Sequence, residues 1–516
     1  HKGSATLFSF WSKDIRYTTS NTITFEDKYG DHSVRLLAGQ EAMRDKLDLL
    51  GLSSPKVNPT IPYPTTSPAA DDQGDYNLVD ESLLSFFGVF DYNYLNRYYL
   101  QASVRADGSS LFGSNNKWGV FWSVGGSWNV SKESWMKWSR QWLSALKIRA
   151  SYGVNGNNNI SPYKAYGLYG TTQYNGITGM VPSSPANPNL SWEKNATYNI
   201  GVDFGFFDDR LTGSLDYYFR KTQDMLLSKQ VPYTTGFGSN FMNVGAIRNK
   251  GIEFQLEGVI LRNNDWYWTA GFNIALNRSL VLDLAGSEYL SVVDARAHNN
   301  DSTPIRIVPG RRLFTYYVRD WYGVNPSNGD PIWYDKEGNL TSDYSKARYI
   351  YAGTPEPKAT GGFNTSVSWK GITLSGYFEF VAGSKVVTSM NNDTDGADMN
   401  TNVSTLSLNY WKKPGDTGVQ PKPVAGAPKK PYARSTRDIQ DGSYLRIKDV
   451  SLSYSLPVRI LKPVKMSGVR LYVSALNPYT FHHVRALDPE VGPLGYTLGA
   501  SHSMVKSFVG GIEVSF

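Results

Sequence analysis

The stretch Leu211–Arg220 reads LTGSLDYYFR, and its two-residue period decides the fold. On an extended chain, Leu211, Gly213, Leu215, Tyr217 and Phe219 fall on one side, and Thr212, Ser214, Asp216, Tyr218 and Arg220 on the other. One face is apolar and the other polar. The same split separates Tyr98, Leu100, Ala102 and Val104 from Tyr99, Gln101, Ser103 and Arg105. It also separates Tyr198, Ile200, Val202, Phe204 and Phe206 from Asn199, Gly201 and Asp203. It recurs in Trp266, Trp268, Ala270, Phe272 and Ile274, and in Ile372, Leu374, Gly376, Phe378 and Phe380.

Working outward, the period predicts strands near residues 15–27, 32–41, 82–94, 97–107, 117–129, 144–154, 192–206, 210–222, 247–260, 265–277, 357–370, 372–384, 443–455, 467–478 and 506–516. Strands of about 9 to 11 residues cross a bilayer at a tilt, whereas strands of soluble sandwiches run nearer five or six. The connections alternate in length. Short turns are expected at Lys28–Asp31, Leu95–Asn96, Phe207–Asp209, Arg262–Asp265 and Lys370–Gly371, with intermediate ones at Val130–Leu143 and Leu456–Met466. Between them lie long loops at 42–81, 108–116, 155–191, 223–246, 279–356, 385–442 and 479–505. One rim is trimmed and the other elaborated, as in outer-membrane barrels with short periplasmic turns and long extracellular loops. The expectation is an all-β transmembrane antiparallel barrel that occupies residues 1–516, its C-terminus periplasmic.

Composition agrees. The 516 residues are 40% hydrophobic, 14% aromatic and 19% charged, too aromatic and too weakly charged for a disordered chain. The formal net charge of +7 is scattered without a basic run, so nucleic acid is not an expected partner. Mean hydropathy is −0.38, which suits strands that alternate lipid-facing apolar and polar residues. No run of 18 apolar residues offers a membrane helix. The absence of cysteine removes disulfide and thiolate chemistry. The last residues, Phe508, Gly510, Ile512, Val514 and Phe516, alternate up to a terminal aromatic, as where an assembly machinery reads the final strand. An odd set of fifteen strands closes antiparallel only with another odd set supplied from outside these residues.

At this point the residues resemble a known family. NPNLSWEKNATYNIGVDFGFFDDRLTGSLDYYFRKTQDMLL (Asn187–Leu227) closely resembles the core of SusC/RagA-type TonB-dependent outer-membrane transporters of the Bacteroidetes. Similar segments are RYYLQASVRADGSSLFGSNNKWGVFWSVGGSW (Arg97–Trp128), LKIRASYGVNGNNNI (Leu146–Ile160) and NVGAIRNKGIEF (Asn243–Phe254). GTPEPKATGGFNTSVSWKGITLSGYFEF (Gly353–Phe380), DGSYLRIKDVSLSYSLP (Asp441–Pro457) and VRLYVSALNPYTF (Val469–Phe481) add to them. The resemblance implies a 22-stranded barrel with a plug, of which about fifteen strands and no plug lie in this chain. It implies active import of an oligomeric nutrient, glycan or oligopeptide, with a SusD-like lipoprotein lid and with TonB engaged through residues outside this sequence. The alternative is a barrel serving as a surface adhesion or assembly platform without transport.

Candidate site residues follow from position. Trp128, Trp135, Trp138 and Trp142 around one short connection read as an interfacial aromatic girdle. Substrate or lid contact is expected instead from loop aromatics: Tyr316, Tyr317, Trp321, Tyr322, Trp333 and Tyr334, with Tyr410 and Trp411. For any one of these rings, loop packing is the competing reading. In the run Asn391–Asn400, Asn391, Asp393, Asp395 and Gly396 match part of a calcium-loop template, but Asn402 stands where a bidentate Glu belongs and no helix flanks it. An EF-hand is excluded, which leaves hard-cation binding by Asp393, Asp395 and Asp398 against a plain solvated loop. His482 and His483 lack acidic partners at ligand spacing. No nucleophile elbow, phosphate loop or zinc motif is present, so no cofactor or catalysis is expected.

Overall fold

In a computed structural model, the described residues are 5–57, 73–292, 304–388, 405–418, 420–424, 434–485, 488–497 and 504–516. Fifteen long strands pair in chain order into one sheet: β1 (Ala5–Tyr29), β2 (His32–Val57), β3 (Gln73–Tyr94), β4 (Tyr98–Ser109), β5 (Trp118–Asn129), β6 (Leu143–Asn157), β7 (Glu193–Phe206), β8 (Leu211–Gln223), β9 (Ala246–Arg262), β10 (Trp266–Asp283), β11 (Ala359–Trp369), β12 (Ile372–Ala382), β13 (Tyr444–Ser455), β14 (Gly468–His482) and β15 (Ser507–Ser515). All fifteen expected strands are present, and consecutive strands run antiparallel. The apolar faces are the exposed ones: Leu215 and Tyr217 of β8 leave 46% and 45% of their surface open. A soluble fold would bury such a face; a lipid-facing strand exposes it. Among the described residues, no helix is long and apolar enough to cross a membrane.

The short turns carry the positive-φ residues. Lys370 and Gly371, at φ 46 and 90, form a two-residue connection between paired Trp369 and Ile372, and Leu95 and Asn96 sit at φ 55 and 53. Two left-handed residues in succession give a turn whose twist matches that of the flanking strands. One expectation needs correction. Residues 42–57 and 73–81 are not loop but continue β2 and β3, to lengths of 26 and 22 residues. Their sequence, with Arg44, Asp45, Lys46, Asp48 and Asp80, loses the apolar alternation because cross-strand ion pairs replace it: Arg44 reaches Asp80 at 2.7 Å, and Arg16 pairs with Asp45.

The chain divides into two compact units. One comprises His1–Asn129, Arg149–Tyr198 and Arg220–Ala246; the other comprises Val130–Ile148, Asn199–Phe219 and Ile247–Phe516. The first unit has a small core in which Phe112, Phe121, Ala165, Leu190 and Trp192 are buried together. Trp192 meets Phe112 at 4.8 Å and Phe121 edge-on at 5.3 Å, and its indole N–H donates to Lys117 O at 3.1 Å. Around it, Asn187 donates to Phe241 O, and Asn243 both accepts from Ser191 N and donates to Ser191 O, each at 2.7 or 2.8 Å. The start of the segment quoted for the resemblance, Asn187–Trp192, is therefore a knot that ties three loops together. Beyond it, the loop expected at 155–191 carries a hairpin, Leu168–Tyr174 with Ile177–Ser184.

In the second unit the longest loop folds into layers of its own. Leu290–Ser291, Ile305–Ile307, Thr315–Arg319 and Tyr349–Tyr351 make a four-stranded sheet, and Trp321–Val324, Pro331–Tyr334 and Leu340–Thr341 a three-stranded one. A loop of that length needs a core, and it has one: Ile305, Tyr316 and Val387 are buried with Val292, Phe314, Ile439 and Leu494 packed on them. At the intermediate connection, Trp135, Trp138 and Trp142 are exposed, and Trp142 stacks on Phe206 at 5.9 Å.

Candidate functional site

The best-built polar site lies on β13, where the alternation changes phase. Ile447 pairs with Phe378 and Tyr479, and Asp449 with Tyr377 and Leu476, which leaves Lys448 as an extra residue, a β-bulge. Before the bulge Leu445 and Ile447 lie on the apolar side; after it Val450, Leu452 and Tyr454 do. The polar side accordingly runs Tyr444, Arg446, then Asp449, Ser451 and Ser453. The bulge keeps the greasy face continuous while aiming Arg446 and Lys448 into one cluster.

Arg446 is fully buried, and every nitrogen of its guanidinium is used. Its Nε donates to Thr480 Oγ1 at 2.9 Å, one terminal nitrogen donates to Glu490 at 2.6 Å and the other pairs with Asp488. Lys448 bridges Glu379 at 3.0 Å and Glu490 at 3.1 Å, and the Tyr444 hydroxyl donates to Glu379 at 3.0 Å. Burial pushes the Asp488 carboxyl up, but N–H groups of Glu490 and Met504 and the Arg446 guanidinium outweigh it and hold the group below its usual range. The network fastens residues 488–490 to the strand wall.

Beside it opens a cavity of about 360 Å³, lined by Ser279, Phe314, Glu356, Val386, Tyr444 and Glu490 among others. Its walls are mostly apolar, with Glu356 held by Ser279 N at 2.9 Å, by the Ser279 hydroxyl and by Arg312 at 3.6 Å. A few fixed polar groups in an apolar hollow are the ordinary make-up of a small-ligand pocket. Among the described residues no cluster of His, Asp or Glu could hold a metal ion.

The loop aromatics are placed differently from one another. Tyr316 is fully buried, its hydroxyl within 3.0 Å of Lys385 O and 2.9 Å of Gly495 O. Trp333 is fully buried too, edge-on to Trp321 at 5.5 Å and to Tyr344 at 5.4 Å. Tyr322 and Tyr334 meet at right angles, 5.4 Å apart, and Tyr322 keeps 53% of its surface open. Tyr317 stacks parallel on Tyr349 at 4.9 Å. Trp411 is buried, with its indole N–H on Pro326 O at 3.0 Å, and Tyr410 is half-buried under Lys412. The structure thus gathers Trp321, Tyr322, Trp333 and Tyr334 in one layer, sets Tyr316 and Tyr317 on opposite faces of another, and packs Trp411 against the turn at Pro326 and Gly329 that joins two strands of the first layer. Asp393, Asp395 and Asp398 lie outside the described residues. The residues that sequence reasoning missed are Tyr444, Arg446, Lys448, Glu379, Asp488 and Glu490. The available signal was two cations at alternate positions of a spanning strand, followed by the phase slip between Ile447 and Val450.

The family described as TonB dependent receptor-like, beta-barrel matches residues 3–477. TonB-dependent receptor P3 of Formosa agariphila is 28% identical over 98% of this chain and 53% of its own length. TonB-dependent receptor SusC of Bacteroides thetaiotaomicron is 33% identical over 80% of this chain and 41% of its own. Among solved structures, the RagAB peptide importer in its open-open state aligns with a TM-score of 0.87 at 28% identity, over 99% of this chain and 56% of the other. The chain therefore spans about half the length of the relatives it matches. It belongs to the TonB-dependent receptor-like β-barrel family of outer-membrane proteins and is of the SusC/RagA type.

Proposed function

We propose that this chain is the barrel part of a TonB-dependent importer that carries an oligomeric nutrient across the outer membrane beneath a SusD-like surface lipoprotein. The observation that carries the reading is a fifteen-stranded sheet with apolar faces exposed, matched along 99% of the chain to the RagAB importer. Coupling to TonB belongs to parts of the protein beyond these residues. The elaborated loops face outward and the short turns the periplasm, in keeping with their lengths. Of the loop aromatics, Tyr322 is the ring most open to a substrate or lid, with Trp321 and Tyr334 behind it, while Tyr316, Trp333 and Trp411 support the layers that carry it. Cells carrying the parent gene as their only such transporter should take up a labelled oligopeptide or glycan in a TonB-dependent manner. Uptake unchanged by deletion of the gene would sink the proposal.

The terminal strand serves assembly. Phe508, Ile512, Val514 and Phe516 are all exposed, and β15 pairs only with β14 among the described residues. An open edge in lipid leaves backbone groups unsatisfied, so this strand must be recognised and paired for the barrel to close. Deleting Phe516 should lower outer-membrane levels of the parent protein severalfold, as read by fractionation and immunoblot; unchanged levels would remove the assembly role.

A further inference from the structure

The four-stranded loop sheet has two unlike faces. Ile305, Tyr316 and Val318 are buried on one. By the two-residue period, Arg306, Thr315, Tyr317 and Arg319 lie on the other, where Tyr351 pairs with Tyr317 and Tyr349 with Arg319. On this second face rings and guanidiniums interleave. Arg306 lies 3.7 Å from the Tyr289 ring and 3.8 Å from Tyr317; Tyr317 stacks on Tyr349; Arg319 covers Tyr349 at 3.9 Å; and Arg311 covers Tyr351 at 3.7 Å. Tyr289 and Tyr349 keep 39% and 40% of their surface open, and Arg311 is exposed.

Among the described residues the charge on this face is uncompensated. Elsewhere in the same unit arginines are paired: Arg312 with Glu356, Arg348 with Asp320, Arg437 with Asp438 and, on β13, Arg446 with Asp488 and Glu490. Among the described residues, Arg306, Arg311 and Arg319 have no carboxylate within ion-pair distance. Arg319 gives one terminal N–H to Ala347 O, while its buried Nε has no hydrogen-bond partner. Stacking on the rings fixes each guanidinium plane; among the described residues nothing occupies the N–H edges of Arg306 and Arg311, the geometry that grips a carboxylate through two parallel bonds, while Arg319, with one terminal nitrogen on Ala347 O and its Nε buried, adds charge behind them. On Tyr317 and Tyr349 the ring faces are already taken by guanidinium and by the neighbouring ring, which leaves a sugar little aromatic plate there. Carboxylates on flexible side chains can reach the N–H edges.

We infer that this Arg306/Arg311/Arg319 face is a binding surface for an acidic oligopeptide, so that the nutrient class of the proposed importer is peptide rich in Asp and Glu. In an extended peptide alternate side chains point to the same side and can present successive carboxylates to one sheet face. The inference rests on the import reading, but binding needs no TonB and is measured apart from it.

The test uses the full parent protein in lipid nanodiscs and a fluorescent ten-residue peptide of alternating Glu and Ser, read by anisotropy. Binding should weaken as salt rises, and should fall at least tenfold in the triple variant Arg306→Gln/Arg311→Gln/Arg319→Gln. Arg311→Gln alone, at an exposed position, should cost severalfold with no risk to folding, and Arg311→Lys should not restore it, because charge without the planar fork is insufficient. Heat-modifiable gel mobility checks that the barrel is intact. Equal binding of the alternating Gln and Ser peptide, or no loss in folded variants, overturns the inference. Tighter binding of oligogalacturonate than of the Glu peptide overturns it in favour of an anionic glycan. Failure of the unaltered protein to bind the Glu peptide, with TonB-dependent uptake of another nutrient intact, removes this surface and leaves the importer; intact binding without uptake does the reverse.

Discussion

Two regions of the molecule solve the same problem, fastening long loops to strand ends, by different physics. In the first unit, Leu190 and Trp192 are buried among Phe112, Phe121 and Ala165, and Asn187 and Asn243 sew the backbone together with neutral hydrogen bonds. In the second, Arg446 and Lys448 hold Asp488, Glu490 and Glu379 by charge. The apolar knot draws on area removed from water, which neither salt nor pH alters much. The ionic cluster draws on Coulomb attraction offset by desolvation, so it is conditional on every partner being present and ionised. One fastening is permanent and the other is releasable.

That contrast can be broken, and the largest effect should come from Trp192→Ala. Truncating a buried Trp costs about 3–5 kcal/mol, and the amides of Gly113 and Asn115, which donate to Leu190 O and Pro188 O, should lose hydrogen-exchange protection. Protection that survives would mean the asparagine bonds alone hold the knot. Next comes Arg446→Ala, which strands two carboxylates. The cost should be about 2 kcal/mol rather than the 3–5 of a fully buried pair, because Glu490 keeps 31% of its side chain exposed. Limited proteolysis within 484–497 should accelerate while 187–192 stays resistant; equal cutting of both would show that the two fastenings are not separate.

The smallest effect is that of pH. The Asp488 carboxyl is held below its ordinary value in the folded state, so its contribution is fully present above the unfolded value of about 4 and is lost as pH falls through the lower folded one. Acidifying below about pH 4 should therefore quicken proteolysis of 484–497, with no matching change at the Trp192 knot. A knot that loosens in parallel would make the distinction between the regions one of degree.

How much of this could be read beforehand depends on what sets each element. The spanning strands were legible because lipid on one side and water on the other impose a period of two that no other requirement disturbs, as in Leu211–Phe219. Past the membrane band that constraint lapses. Residues 43–50, MRDKLDLL, continue a strand on cross-strand ion pairs, and single-sequence alternation cannot see a partner 36 residues away such as Asp80 for Arg44. The loop rings were found as a group, but their burial was not legible: Tyr316 and Trp333 became the core of loop layers whose strands are two to five residues long, too short to show a period. Arg446 and its partners, 42 and 44 residues away in sequence, were missed for the same reason.

The extra residue at Lys448 has a consequence for chemical mapping. Because the chain holds no cysteine, single thiols can be introduced one at a time. Along β13 a lipid-soluble alkylating reagent should mark positions 445, 447, 450, 452 and 454, and a water-borne one the positions between, with the rhythm skipping a beat at 448. Any scan that assumes a constant odd–even rule across this strand would assign half of it to the wrong solvent. The labelling pattern is that of two half-strands spliced out of phase, and deleting Lys448 should restore an unbroken two-residue rhythm, with the residues now numbered 445, 447, 450, 452 and 454 still on the lipid side and one cation lost from the polar cluster.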